Sequence, residues 1–144
     1  MSPTARRNAR FYALQAMYQW QLSGTSITDI ENDFLLHQIK KKTDLDYFKE
    51  LIHAIPKQFD ELDNQMSPFL NRPIQELDPI ELAILRLSIY ELAERQDVPY
   101  RVVINEALEL TKKFGSIEGF KFVNGVLDKV ARKLRTHEVA AYKK

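Results

Sequence analysis

Residues 78–94 read DPIELAILRLSIYELAE, and this stretch decides the fold. Asp78 is a helix N-cap by type, Pro79 suits the first helical position, and Glu81 falls at the third. Together they predict a capping box with aspartate in place of serine or threonine. The run that follows distributes Ile80, Leu82, Ala83, Ile84, Leu85, Leu87, Ile89 and Leu92 almost all round the axis. A helix that is apolar on every side must be enclosed by neighbours, so the stretch predicts the buried centre of a bundle.

The flanking sequence supplies those neighbours. After Pro99, Val103, Ala107, Leu110 and Phe114 share one stripe, and Gly115 is the expected stop. A further helix is predicted over about 117–135. Towards the N-terminus, a first helix is expected from Thr4, read as its N-cap, to about Leu22, with Gly24 ending it. A second is expected over about 27–41, after Thr25 and Ser26. A third begins near Asp44 and carries Leu45, Phe48, Leu51, Ile52 and Ile55; Pro56 is expected to kink or break it. A fourth piece, about 58–71, holds Phe59, Leu62, Met66 and Leu70. No stretch sustains strand alternation, and the VVI at 102–104 runs on into a helical pattern. The expectation is an all-α protein: six to seven helices in two packed subbundles sharing one core. Residues 1–136 read as a single helical domain and 137–144 as a basic, flexible C-terminal tail.

Composition narrows the function. The 144 residues are 44% hydrophobic and 28% charged, ordinary for a globular chain. There is no cysteine, which excludes disulfides, zinc–cysteine sites and thiol catalysis. No apolar run is long enough for a membrane span, and no signal core follows the basic N-terminus. The expectation is a cytoplasmic protein with no membrane contact. His37, His53 and His137 are far apart and show no metal-ligand spacing, and there is no phosphate-cradling or nucleophile motif. Neither a catalytic residue, a metal nor a cofactor is expected, so the chain does not read as an enzyme.

The charge pattern is more informative than the net +1. Residues 1–28 hold Arg6, Arg7 and Arg10 and no acid, residues 129–144 sum to +5, and the middle carries −7. Basic ends suggest an anionic partner; the plainer alternative is a solvated tail. Arg6, Arg7 and Arg10 fall within about 100° of one helix face. They also sit in the first turns, where the helix dipole disfavours cations by roughly 0.3–1 kcal/mol each. Stability alone would put acids there. Arginine forks match phosphate oxygens and stack on bases, which makes the cluster a candidate phosphate contact; the alternative is a frayed, solvated N-terminus.

A second cluster, KKFGSIEGFKF at 112–122, interleaves Lys112, Lys113 and Lys121 with Phe114, Phe120 and Phe122. Rings that stack on bases and lysines that follow the backbone suit single-stranded nucleic acid. On the last helix, Val123, Val126, Leu127, Val130 and Leu134 form the apolar stripe, while Phe122 lies toward Lys129 and Lys133. Phe122 is therefore expected at the core's edge, and Phe114 and Phe120 within the core. Tyr18 to Leu22 (YQWQL), Glu76 and Glu81 are candidate protein contacts, with core or boundary positions in the bundle as the alternative.

Three segments together resemble the NusB family of bacterial transcription antitermination factors. They are ARRNARFYALQAMYQWQ at 5–21, ELDPIELAILRLSIYEL at 76–92, and DVPYRVVINEALELTKKFG with KFVNGVLDKVAR at 97–132. The resemblance implies two packed helical bundles and binding of boxA, a short single-stranded element of ribosomal RNA transcripts. It implies a partner, NusE, a small-subunit ribosomal protein, and action with other Nus factors on elongating RNA polymerase. It places RNA contacts at Arg6, Arg7, Arg10, Lys121 and Phe122, and NusE contacts at Tyr18 and Glu81. Some members self-associate, so a homodimer is also an expected assembly. Asn8 interrupts the arginine run, which implies either weaker RNA binding or an uncharged hydrogen bond to RNA. The alternative from a different class is a protein-interaction or dimerisation module without specific RNA binding.

Overall fold

The computed structural model describes residues 2–142; Met1, Lys143 and Lys144 lie outside them, and with them the last two positions of the expected tail. Seven α-helices and no strand occur among the described residues: α1 (Pro3–Ser23), α2 (Ile27–Asp33), α3 (Leu45–Met66), α4 (Pro79–Glu94), α5 (Tyr100–Phe114), α6 (Ile117–Leu134) and α7 (Thr136–Tyr142). The chain divides within α3 into two units, 1–58 and 59–144.

In the first unit α1 starts earlier than expected. Ser2, not Thr4, is the cap: its hydroxyl accepts from the Ala5 amide, and Pro3 occupies the first helical position. Gly24 ends α1 in the left-handed conformation, φ 68°, with its amide bonded to the Trp20 carbonyl. A residue with a Cβ would be strained there, which is why the stop was legible. Ser26 caps α2, but the helix does not reach 41. It gives way to a π-helical turn over Phe34–Gln38 and then to extended chain at Ile39. The reason is competition for amides, since the Tyr12 hydroxyl accepts from Lys40 and Lys41 at 3.1 and 3.3 Å. Ala9, Ala13, Leu14 and Met17 of α1, Ile30 of α2, and Phe48, Leu51, Ile52 and Ile55 are buried, and Phe34 meets Phe48 at 6.0 Å between ring centres.

Asp44 caps α3 by accepting from the Tyr47 amide. The break expected at Pro56 is absent, and α3 continues to Met66. An internal proline costs about 3 kcal/mol. The apolar stripe, however, runs through it in register: Phe48, Ile52, Ile55, Leu62 and Met66 are all buried. Each such side chain contributes roughly 1.5–3 kcal/mol on burial, so packing outweighs the defect.

In the second unit α4 is the enclosed helix that its sequence predicts, buried continuously from Ala83 to Leu92, with α5 and α6 packed on it and on each other. Asp78 caps it, accepting from Ile80 and Glu81 at 2.8 and 3.2 Å. Its polar members are held in place: Arg86 makes a two-pronged pair with Asp63 at 2.9 and 2.8 Å and stacks over Phe59. Ser116 caps α6 through the Gly119 amide, and Val123, Val126, Leu127 and Val130 are buried as expected.

Where the sequence suggested a flexible tail, residues 136–142 form α7. Arg135, only 3% exposed, explains it. Its guanidinium donates to the carbonyls of Leu92, Val98, Glu91 and Arg95 and pairs with Glu138 at 2.6 Å. Glu138 in turn accepts from the Tyr100 amide at 2.8 Å, satisfying the first turn of α5, which has no side-chain cap of its own. Val139 is buried, and Tyr142 lies edge-on to Tyr100 with Arg101 over its ring. Arg135 therefore belongs to the fold, and the C-terminal charge excess facing solvent is smaller than the raw count.

Candidate nucleic-acid interface

The N-terminal arginines are brought to one face of α1, but they do not behave alike. Arg6 stacks on Tyr47 with its guanidinium 4.2 Å from the ring centre, and its Nε lies 3.9 Å from Asp44. Arg10, buried at 4% exposure, approaches the same ring at 5.6 Å. These contacts answer the dipole objection: an aromatic face and a carboxylate offset cations in the first turns of α1. Arg7 is exposed. Asn8 has a structural duty, its side-chain amide donating to the Lys42 carbonyl at 2.8 Å. The departure from a denser arginine run thus ties the following loop to α1. Tyr18, one turn before the end of α1, is half-buried, and Leu22 is 58% exposed.

The second cluster lies at the start of α6. Lys121 is exposed and Phe122 half-buried, at the edge of the core as the helical wheel predicts. Phe114 and Phe120, expected in the core, are not enclosed: Phe114 is 36% exposed and Phe120 is half-buried with the Lys112 ammonium 5.8 Å from its ring centre. Both flank the α5–α6 turn, where Gly115 and Ser116 leave the helical path.

Sequence reading missed Arg72. It sits in the irregular segment between α3 and α4, where no periodicity guides a reading. Its guanidinium lies 5.7 Å from the Phe122 ring centre. The same cation bears on Glu81. Burial pushes the Glu81 carboxyl above its ordinary range, the Asp78 carboxylate adds to the rise, and Arg72 opposes it. Glu81 does not close the expected capping box. Its Oε2 lies against Gly119 instead, 2.5 Å from where a Cβ would stand. Glycine at 119 is what lets the carboxylate reach α6.

The structure thus assembles two places, each within its own unit: arginines on Tyr47 and Asp44 in the first, and Lys121, Phe122, Arg72 and Glu81 in the second. Guanidinium and ammonium groups at both places can hold phosphates, and the half-buried Phe122 ring at the second can stack on a base. Among the described residues no cluster of His, Asp or Glu could hold a metal, and no helix is long and apolar enough to cross a membrane. His53 pairs with Glu31 at 3.2 Å.

Comparison with known proteins is consistent across sequence and structure. The NusB family model matches residues 7–132. The transcription antitermination protein NusB of Alcanivorax borkumensis is 55% identical over 139 residues, covering 96% of this chain and 93% of that protein. That of Idiomarina loihiensis is 56% identical over 135 residues, covering 94% and 97%. Among solved structures, antitermination factors NusB and NusE in complex with dsRNA give a TM-score of 0.82 at 27% identity, covering 92% of this chain and 99% of the matched one. NusB of T. maritima gives 0.76 at 29% identity, covering 88% and 90%.

Proposed function

This chain belongs to the NusB family of transcription antitermination proteins, and from that premise we propose an adaptor that binds boxA RNA together with NusE. The family is non-catalytic, and the chain is not an enzyme. The observation that carries the reading is its likeness to a chain crystallised with NusE and dsRNA. In this reading Arg7 meets phosphate from the exposed face of α1, while Arg6 and Arg10, seated on Tyr47, add positive potential behind it. Lys121 holds a second phosphate and Phe122 stacks on a base. Tyr18 and Glu81 contact NusE. The RNA–protein complex then joins other Nus factors on elongating RNA polymerase in the cytoplasm, and self-association of free copies is a competing state.

The test is a fluorescence anisotropy titration of labelled boxA RNA and a scrambled control, with and without NusE, at two salt concentrations. Preference for boxA that strengthens with NusE is expected. Equal weak binding to both RNAs, indifferent to NusE, would overturn the reading in favour of a protein-interaction module.

A further inference from the structure

Residues 39–44, IKKKTD, link the π-helical turn to α3 and have no part in the function above. They are not a loose loop. The Asp44 amide donates to the Ala5 carbonyl at 3.0 Å, the Asn8 side chain to the Lys42 carbonyl, and the Lys40 and Lys41 amides to the Tyr12 hydroxyl. Thr43 closes a local turn by donating to the Lys41 carbonyl at 2.8 Å. Ala5, Asn8 and Tyr12 are spaced three and four residues apart, so the segment is strapped along one face of α1, running opposite to it.

The strap leaves the side chains of Lys40, Lys41 and Lys42 exposed. The Lys41 ammonium lies 4.8 Å from the centre of the Phe11 ring, which is half-buried. Phe11 follows Arg7 by four residues, on the same side of α1. Arg7, Phe11 and the lysine run therefore continue one another along α1. The nearest carboxylate on the strap, Asp44, is 7% exposed and turned to Arg6 and the Tyr47 amide, so it does not cancel this charge at the surface. A lysine run in a free loop must be ordered on binding, whereas a strapped one has its backbone already fixed. A basic track with an aromatic set in it fits a single strand, whose phosphates lie outside and whose bases are free to stack.

We propose that the strap Lys40–Lys42 and the Phe11 ring form a further single-stranded RNA contact, lysines on phosphates and Phe11 on a base, extending the site along α1 from Arg7. The proposal rests on the RNA-binding reading. It is tested with the full chain on boxA RNA across a salt series. Replacing all three lysines with glutamine (K40Q/K41Q/K42Q) is expected to make the slope of log affinity against log salt less negative by about 2, and to weaken binding on the order of 10- to 100-fold at 0.1 M salt. Phe11→Ala is expected to weaken binding about tenfold with the slope unchanged. Asn8→Ala, which cuts the strap's tie and keeps every charge, is expected to weaken binding less, again without altering the slope. An unchanged Tm for the lysine variant shows that the fold is kept. Wild-type affinity and slope in that variant, while Arg7→Ala and Phe122→Ala weaken binding, overturn the strap and leave the adaptor reading standing. Loss of NusE binding with RNA affinity intact makes the strap a protein contact and overturns it too. Absence of RNA binding by the wild type removes both readings.

Discussion

The arginine face of α1 and the start of α6 both carry cations beside rings, yet the roles are exchanged. On α1 the ring belongs to the scaffold: Tyr47 is 2% exposed, and it anchors Arg6 and Arg10 from below. What faces solvent there is charge. At α6 the ring is the partly exposed partner, because Phe122 is half-buried with Arg72 across its face. Similar residue types are thus placed differently, with charge outward at α1 and a ring outward at α6. In the proposed RNA complex the first place would contribute long-range attraction that salt screens, and the second would contribute stacking, which salt scarcely touches.

The largest expected effect is on the fold of the second unit, which holds the α6 place. Arg135→Ala leaves four backbone carbonyls and Glu138 without their charged donor. Hydrogen bonds to a charged group are worth about 1.5–3 kcal/mol each, so a loss of about 3 kcal/mol or more in unfolding free energy is expected by denaturant titration. Next, Phe122→Ala should weaken boxA binding by roughly 1–3 kcal/mol while leaving the salt slope as it was. Arg7→Ala should do the converse: a smaller loss at physiological salt, with the slope less negative by about 0.7. Those two salt series sharpen the contrast between attraction and stacking.

The smallest effect concerns Glu81. Its carboxyl is raised above the ordinary 4.5, so the folded chain holds the proton more tightly than the unfolded one. Ionised Glu81 therefore costs stability at neutral pH, and the cost fades as pH falls through the raised value to below 4.5. Glu81→Gln should raise Tm by about 1 °C at neutral pH and have no effect near pH 3.5. The same variant should weaken NusE binding if the carboxylate is a partner contact.

Much of this was legible in the sequence because it is local. Asp78 and Pro79 announce α4, Gly24 ends α1, and the stripe of Val123, Val126, Leu127 and Val130 fixes the inner face of α6. Edge placement of Phe122 follows from the same periodicity. What was not legible depends on partners distant in sequence. Nothing near Arg135 says that it will satisfy carbonyls some forty residues earlier. Nothing in the arginine run shows that Tyr47 will hold two of its members. Pro56 reads as a breaker because propensity is local, whereas the burial that overrides it is tertiary. Lys40 to Lys42 and Arg72 lie in irregular segments, where no period assigns a face.

Under the proposed RNA-binding function, stacking at α6 and attraction at α1 are separate terms of the affinity. The most direct measurement is the boxA affinity of the wild type, Arg7→Ala, Phe122→Ala and the double variant across a salt series with NusE present. Phe122→Ala is expected to shift the line downward in parallel, Arg7→Ala to flatten it, and the double variant to do both. Unchanged affinity in Phe122→Ala, or a flattened line from that change alone, would contradict this separation.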